Sequence, residues 1–293
     1  MATTTPSPTT AHTPAPTTVR NLAARYDALY LDSYGVLVDS EGALPGAREF
    51  VAWVHDVGLP YLILTNDASK LPETRAERYA RLGLPIPVER ILTSGALLAE
   101  HFKAHDLSGA PCVVLGPQDS LDYVKRAGGV VVPAGDDAAE VIVACDDAGF
   151  PFLETVEAVL SQLFRALDAG RRPRLILPNP DLLYPKRPGE FGLTSGSIAL
   201  LLEACIQARH PGLDWRFEPL GKPFPHLYRA AAETLPGLRA VMIGDQLGTD
   251  ILGAQRAHLD SALIATGVGR WVEGTQAPCA PPTWLLPSLD PRL

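Results

Sequence analysis

Ala28-Leu29-Tyr30-Leu31-Asp32-Ser33-Tyr34-Gly35-Val36-Leu37 places one carboxylate, Asp32, at the end of an apolar run. The run reads as a buried strand, and Gly35 just beyond it supplies the backbone freedom for a sharp turn. An acid in that place lies where open α/β sheets bind their ligands, at the carboxyl edge of a strand. A turn-forming Asp at a strand end is also common. The weight of the reading therefore falls on how the other strands end.

Three further segments end in the same chemical vocabulary. Tyr61-Leu62-Ile63-Leu64 is stopped by Thr65-Asn66-Asp67, which offers a hydroxyl and backbone N–H groups suited to phosphate oxygens. Ala240-Val241-Met242-Ile243 runs into Gly244-Asp245, with Asp250 following near a helix start. Asp32 and Asp245 at one sheet edge make a hard oxygen site suited to Mg2+. Asp250 fits either as a third acid of that site or as a simple helix cap. Lys222, in Gly221-Lys222-Pro223, could neutralise phosphate and carboxylate charge alike.

Between these segments the apolar spacing predicts helices over 47–57, 73–82, 96–103 and 250–257 and strands over 91–92 and 261–265. That alternation predicts right-handed βαβ units on a parallel sheet. From about Gly109 it continues as a unit of its own, with strands at 112–115, 130–132, 141–145 and 175–177 and helices at 121–127, 151–169 and 198–208. We read residues 108–215 as a second α/β domain inserted in the first, although pattern alone separates insertion from simple succession only weakly. The first domain then comprises residues 21–107 and 216–280. Residues 1–20, rich in Thr, Pro and Ala, are expected to be disordered, and residues 281–293 to form an irregular Pro-rich tail.

Composition narrows the partners. A formal net charge of −8 argues against nucleic acid and anionic membranes, which need basic faces. No apolar run approaches the ~20 residues that span a bilayer, and residues 1–20 lack the apolar core of a secretory signal. The cytoplasm is the default expectation. Cys112, Cys145, Cys205 and Cys279 are scattered without zinc or redox spacing and read as reduced thiols.

Taken together, Asp32-Ser33-Tyr34-Gly35-Val36, Leu64-Thr65-Asn66, Gly221-Lys222-Pro223 and Gly244-Asp245 through Asp250 resemble the four motifs of haloacid-dehalogenase-superfamily hydrolases. Each part is weak alone; the ordered combination is specific. The large insertion is similar to the subgroup with a big α/β cap (class IIA), which includes nucleotide, phosphoglycolate, pyridoxal-phosphate and 4-nitrophenyl phosphate phosphatases. Pro45-Gly46-Ala47, Asn179-Pro180-Asp181 and Ser195-Gly196-Ser197 also look like segments of that subgroup. The resemblance implies a Rossmann-like core with a parallel sheet flanked by helices, plus the inserted α/β cap domain.

It further implies a Mg2+-dependent phosphatase of small phosphorylated metabolites. Asp32 would be the nucleophile that forms an aspartyl-phosphate. Asp32, the backbone carbonyl of Tyr34 and Asp245 would hold Mg2+, with Asp250 supporting them. Lys222 and Thr65 would stabilise the equatorial oxygens, and Asn66, Asn179 and Asp181 would meet substrate. Related capped phosphatases often dimerise through the cap, so a homodimer is left open.

Tyr34 departs from the pattern, because most phosphatases of the family carry a second Asp there as general acid and base. A phenol with pKa near ~10 can donate a proton but is a poor base near neutrality. Activity is therefore expected to be slow or to favour good leaving groups. Asp39, Glu41 and Asp67 are nearby acids that read more simply as solvated loop residues. A 2-haloacid dehalogenase, a catalytically weakened phosphate-binding protein and a phosphotransferase with an acceptor other than water remain the rival expectations.

Overall fold

The strands predicted as apolar runs are buried on both faces, and their period of two divides them between two cores. In the computed structural model, which describes residues 13–187, 189–272 and 277–293, Ala28, Tyr30, Leu62, Leu64 and Met242 pack into one cluster. Leu29, Leu31, Tyr61, Ile63, Val241 and Ile243 pack into the other. Strands buried on both faces belong to a parallel sheet covered by helices. Seven strands form that sheet, in the order Ala15–Pro16, Trp284–Leu286, Asp260–Ile264, Ala240–Gly244, Ala28–Leu31, Tyr61–Thr65 and Ile91–Thr93, with every neighbouring pair parallel.

The order reverses at the centre. From Ala28–Leu31 the chain steps outward to Tyr61–Thr65 and Ile91–Thr93; from its neighbour Ala240–Gly244 it steps outward the other way. Leu31 pairs with Ile243, and the Asp32 N–H donates to the Ile243 carbonyl (2.9 Å). Asp32 and Asp245 thus leave the sheet side by side at its topological switch point, where such sheets open a crevice for ligands.

A second parallel sheet contains Glu218–Pro219, Arg174–Leu177, Val141–Ala144, Pro111–Leu115 and Val130–Val131 in that order. One face joins the first cluster through Cys112, Val141, Val143 and Ile176, and the other packs under the helices Phe152–Asp168 and Ser195–Arg209 through Val159, Leu163, Leu202 and Ile206. Its last strand, Glu218–Pro219, extends past residue 215, so the second sheet takes its edge from the segment leading to Lys222. The antiparallel hairpin of Leu183–Arg187 and Glu190–Leu193 carried no recognisable period in the sequence.

Both ends are more ordered than expected where they are described. Ala15–Pro16 forms an edge strand on Trp284–Leu286, and Val19 and Leu22 are fully buried. Trp284 is fixed by its indole N–H donating to the Tyr26 hydroxyl (2.9 Å), which donates to Asp260 (2.7 Å). Ala15–Pro16 has too little apolar surface to read as a strand alone; it becomes one by covering the edge of Trp284–Leu286, which itself pairs with Asp260–Ile264. Residues 1–12, on which the rest of the disorder expectation falls, lie outside the described residues. No helix among the described residues is long and apolar enough to cross a membrane. Cys112 and Cys145 are buried free thiols; Cys205 and Cys279 are half-buried.

Candidate active site

The strand ends converge on a cleft of about 300 Å³ between the two sheets. Asp32, Tyr34, Thr65, Asn66, Asn179, Asp181 and Lys222 all line it. Asp245 and Asp250 stand behind Asp32, and one oxygen each from Asp32, Asp245 and Asp250 falls within 4.8 Å of the others.

Lys222 ties this group together. Its ammonium is buried and lies 2.8 Å from Asp32 Oδ1 and 2.7 Å from Asp250 Oδ1. Burial disfavours the ammonium, but the two carboxylates outweigh it and hold its pKa above the usual lysine value. Three acids against one lysine leave an excess of buried negative charge. Burial and the neighbouring Asp250 accordingly push Asp32 up to about 7 despite Lys222, and burial with Asp250 and Asp32 pushes Asp245 well above the carboxylate range.

Each acid is oriented by the backbone. The Ser33 N–H donates to Asp32 Oδ1 (2.7 Å), so that oxygen is held by both Ser33 and Lys222. Asp250 Oδ2 accepts from the backbone N–H groups of Asp245 and Gln246 (both 3.1 Å) while Oδ1 receives Lys222. The two Asp250 oxygens are thus committed differently, one to the Lys222 ammonium and the other to backbone N–H groups that precede it in the chain. Asp245 Oδ2 accepts from the Val268 N–H (3.0 Å), whereas its Oδ1 is buried with no hydrogen-bond partner among the described residues. Gly35, at φ +83°, adopts a conformation that strains side chains, and a Cβ there would run into the Asp245 carboxylate.

Asn66 lines the cleft while its side chain is bonded within the protein. Its Nδ2 donates to the Lys222 carbonyl (2.8 Å) and to Asp181 (3.0 Å), and its Oδ1 accepts from the Lys222 N–H (2.7 Å). One amide hydrogen and the amide oxygen clamp the Lys222 backbone, and the other hydrogen goes to Asp181. Asn179 accepts from the Asp181 N–H (3.0 Å), which shapes the Asn-Pro-Asp turn, and burial raises Asp181 to about 6.

Asp67 is no solvated loop acid. It is buried and paired with Arg75, which, against the effect of burial, keeps its pKa below the usual carboxylate value. Asp39 and Glu41 line a neighbouring cavity of about 320 Å³ instead, together with Asp245 and the other side of Tyr34. Asp146 and Asp147 also line the main cleft, and burial with the Asp147 charge raises Asp146 to about 7. The sequence held the signal for them: they follow the strand 141–145, the same strand-end position that picked out Asp32. Tyr184, from the hairpin, meets Tyr34 edge to face at 6.5 Å between ring centroids.

Two family profiles match the chain: one described as haloacid dehalogenase-like hydrolase over residues 29–129, the other as HAD-hydrolase-like over residues 219–291. They hold Asp32, Tyr34, Thr65, Asn66, Lys222, Asp245 and Asp250 between them. The dihydroxyacetone phosphatase of Corynebacterium glutamicum is 29% identical over 254 residues, covering 85% of each chain. Among solved structures, a possible sugar phosphatase from Cytophaga hutchinsonii superposes with a TM-score of 0.82 at 27% identity, covering 96% of this chain and 100% of that one. A glycerol phosphate phosphatase from Mycobacterium tuberculosis, solved with magnesium, superposes at 0.74 and 26% identity, covering 92% of this chain and 77% of that one.

Proposed function

We propose, for a chain that belongs to the haloacid dehalogenase superfamily and is one of its phosphatases, that it hydrolyses small sugar or triose phosphates through an aspartyl-phosphate on Asp32, with Mg2+ as cofactor. The observation that carries this reading is the trio Asp32, Asp245 and Asp250 facing the single Lys222 at the sheet's switch point. The substrate class is suggested by the relatives and by a small cleft lined mostly by polar side chains.

The residues present fit a divalent cation. Asp245 Oδ1 is an orphaned buried oxygen, the donors are hard carboxylates, and their excess negative charge calls for a cation. Asp32, Asp245 and the Tyr34 carbonyl would hold Mg2+, which would supply charge neutralisation to the transferring phosphoryl group. Asp250 has no oxygen to spare and supports Lys222 and the Asp245 backbone from behind.

Ser33 and Lys222 fix the rotation of the Asp32 carboxylate by gripping one oxygen, so that the carboxylate is presented in a single orientation. Attack forms the acyl-phosphate O–P bond and breaks the ester P–O bond; water then attacks phosphorus, regenerates Asp32 and releases inorganic phosphate. Lys222 and Thr65 face the phosphoryl oxygens and stabilise their charge. The departing alkoxide needs a proton, which the Tyr34 hydroxyl can donate but is poorly suited to take back from water. The second sheet roofs the cleft and keeps bulk water from the acyl phosphate.

A panel of phosphate monoesters assayed with Mg2+ and with EDTA tests the reading, alongside Asp32→Asn and a 2-haloacid control. Phosphate release that needs Mg2+ and vanishes in a still-folded Asp32→Asn is expected. Hydrolysis retained by that variant removes Asp32 from the nucleophile role, and full turnover in EDTA removes the metal. Ligand-induced stabilisation without turnover would mean that Tyr34 has left a binding protein.

A further inference from the structure

We propose a second cation site, selective for zinc-class transition metals, made by His101, His105 and Glu218 where the chain crosses between the two sheets. His101 lies in the helix Leu97–Ala104, and His105 follows four residues on, at the end of that helix. Glu218 comes from the edge strand that leads to Lys222. One donor atom from each residue lies within 4.8 Å of the others, and the two imidazole rings stand 4.2 Å apart, tilted by 34°.

The hydrogen bonding prepares these groups as ligands. His105 Nδ1 sits 2.9 Å from the His101 carbonyl, an acceptor, so Nδ1 carries the hydrogen and the neutral ring keeps its lone pair on Nε2. A carbonyl holding the far ring nitrogen is the usual support of a metal-bound histidine. His101 is 7% exposed, and its Nε2 has no hydrogen-bond partner among the described residues. The nearest acceptor is Glu218 Oε2 at 3.6 Å, beyond hydrogen-bond reach. An orphaned buried imidazole nitrogen is costly unless something occupies the gap.

Two nitrogens and one carboxylate oxygen suit Zn2+ and its neighbours and disfavour Mg2+, which prefers all-oxygen shells. Tetrahedral bonds of ~2.0–2.2 Å need donors roughly 3.4 Å apart, so donors within 4.8 Å of one another must close by up to ~1.4 Å. The Glu218 side chain, 44% exposed, and the half-buried His105 at the helix end can close on the buried His101. The competing cation is Arg174, 3.9 Å from the same carboxylate and itself exposed, a contact of little worth.

A metal there ties the helix before the first crossing to the strand at the return crossing, so it restrains movement of the second sheet over the cleft. The test is a Co2+ titration of tag-free protein in excess Mg2+, followed by visible absorption and thermal unfolding, with Zn2+ as competitor. A strong ligand-field band displaced by Zn2+, together with a rise in Tm, is expected. His105→Gln and Glu218→Gln, both at partly exposed positions, should fold as the wild type does without metal and weaken Co2+ binding by about tenfold or more. Asp245→Asn should leave the band intact. No band in the wild type, equal affinity in both Gln variants, or loss of the band in Asp245→Asn would each overturn the proposal.

Discussion

Replacing Lys222 by Met removes the one cation among the described residues that is paired within the cluster of three buried carboxylates. The ammonium makes contacts of 2.8 Å to Asp32 and 2.7 Å to Asp250, and all three groups are shielded from water. Breaking a buried pair while leaving its partner charged costs about 3–5 kcal/mol, because the stranded carboxylate keeps its desolvation penalty. A Met stem of similar length refills much of the volume, so the loss is electrostatic and not a cavity effect. The cost should fall by at least half in the double variant Lys222→Met/Asp250→Asn, which strands one charge fewer. Mg2+ should also protect Lys222→Met more than the wild type, since the lysine no longer repels the incoming cation. Urea unfolding of the wild type, Asp250→Asn and both Lys222 variants, each with and without Mg2+, measures all of this. A loss below about 1 kcal/mol for Lys222→Met, or no recovery in the double variant, would refute the reasoning that Lys222 holds the acid cluster together.

Tyr34→Asp should raise turnover of alkyl phosphates more than of 4-nitrophenyl phosphate, because only the former needs its leaving group protonated; equal or lower rates on both would count against a missing acid–base group. Gly35→Ala should cost roughly 1–3 kcal/mol of stability through its left-handed backbone and should also depress phosphatase activity by pushing the Asp245 carboxylate aside. Unchanged unfolding and unchanged kinetics would remove that close approach as a constraint. For Asp181, burial raises the folded-state pKa from 3.8 to about 6, so the folded chain binds a proton more tightly than the unfolded chain between those values. Its contribution to stability is therefore greatest at acid pH and declines as pH rises through about 6. Asp181→Asn should accordingly raise Tm at pH 8 more than at pH 4, and equal shifts at the two pH values would contradict the assignment.

How far the site can be read from the chain differs residue by residue. Asp32 and Asp245 announce themselves because each follows an apolar strand, and a parallel sheet brings such ends to one edge wherever they fall in sequence. The same rule, applied to the strand 141–145, reaches Asp146 and Asp147. By contrast, residues 15–16 have no strand signal, since they form an edge whose strand partner, Trp284–Leu286, lies far away in the chain, and 284–286 is a three-residue run in a Pro-rich tail that pairs between that edge and Asp260–Ile264.

The layered α/β architecture, the order of the strand-end acids and the place of Lys222 in a loop before a helix are legible along the chain. Period and punctuation are local properties, and they survive without knowledge of what packs against them. Only the tertiary structure decided which polar groups are spent on one another. Asn66 is 156 residues from Lys222 yet gives it both arms of its amide; Asp67 is held ionised by Arg75; Asp250 divides its oxygens between an ammonium and two backbone amides; and His101 meets Glu218 across the two crossings. The first three of those choices, and the gap left between His101 and Glu218, depend on distances of a few ångströms between elements set by packing, and hydrogen bonding and desolvation are decided at that range.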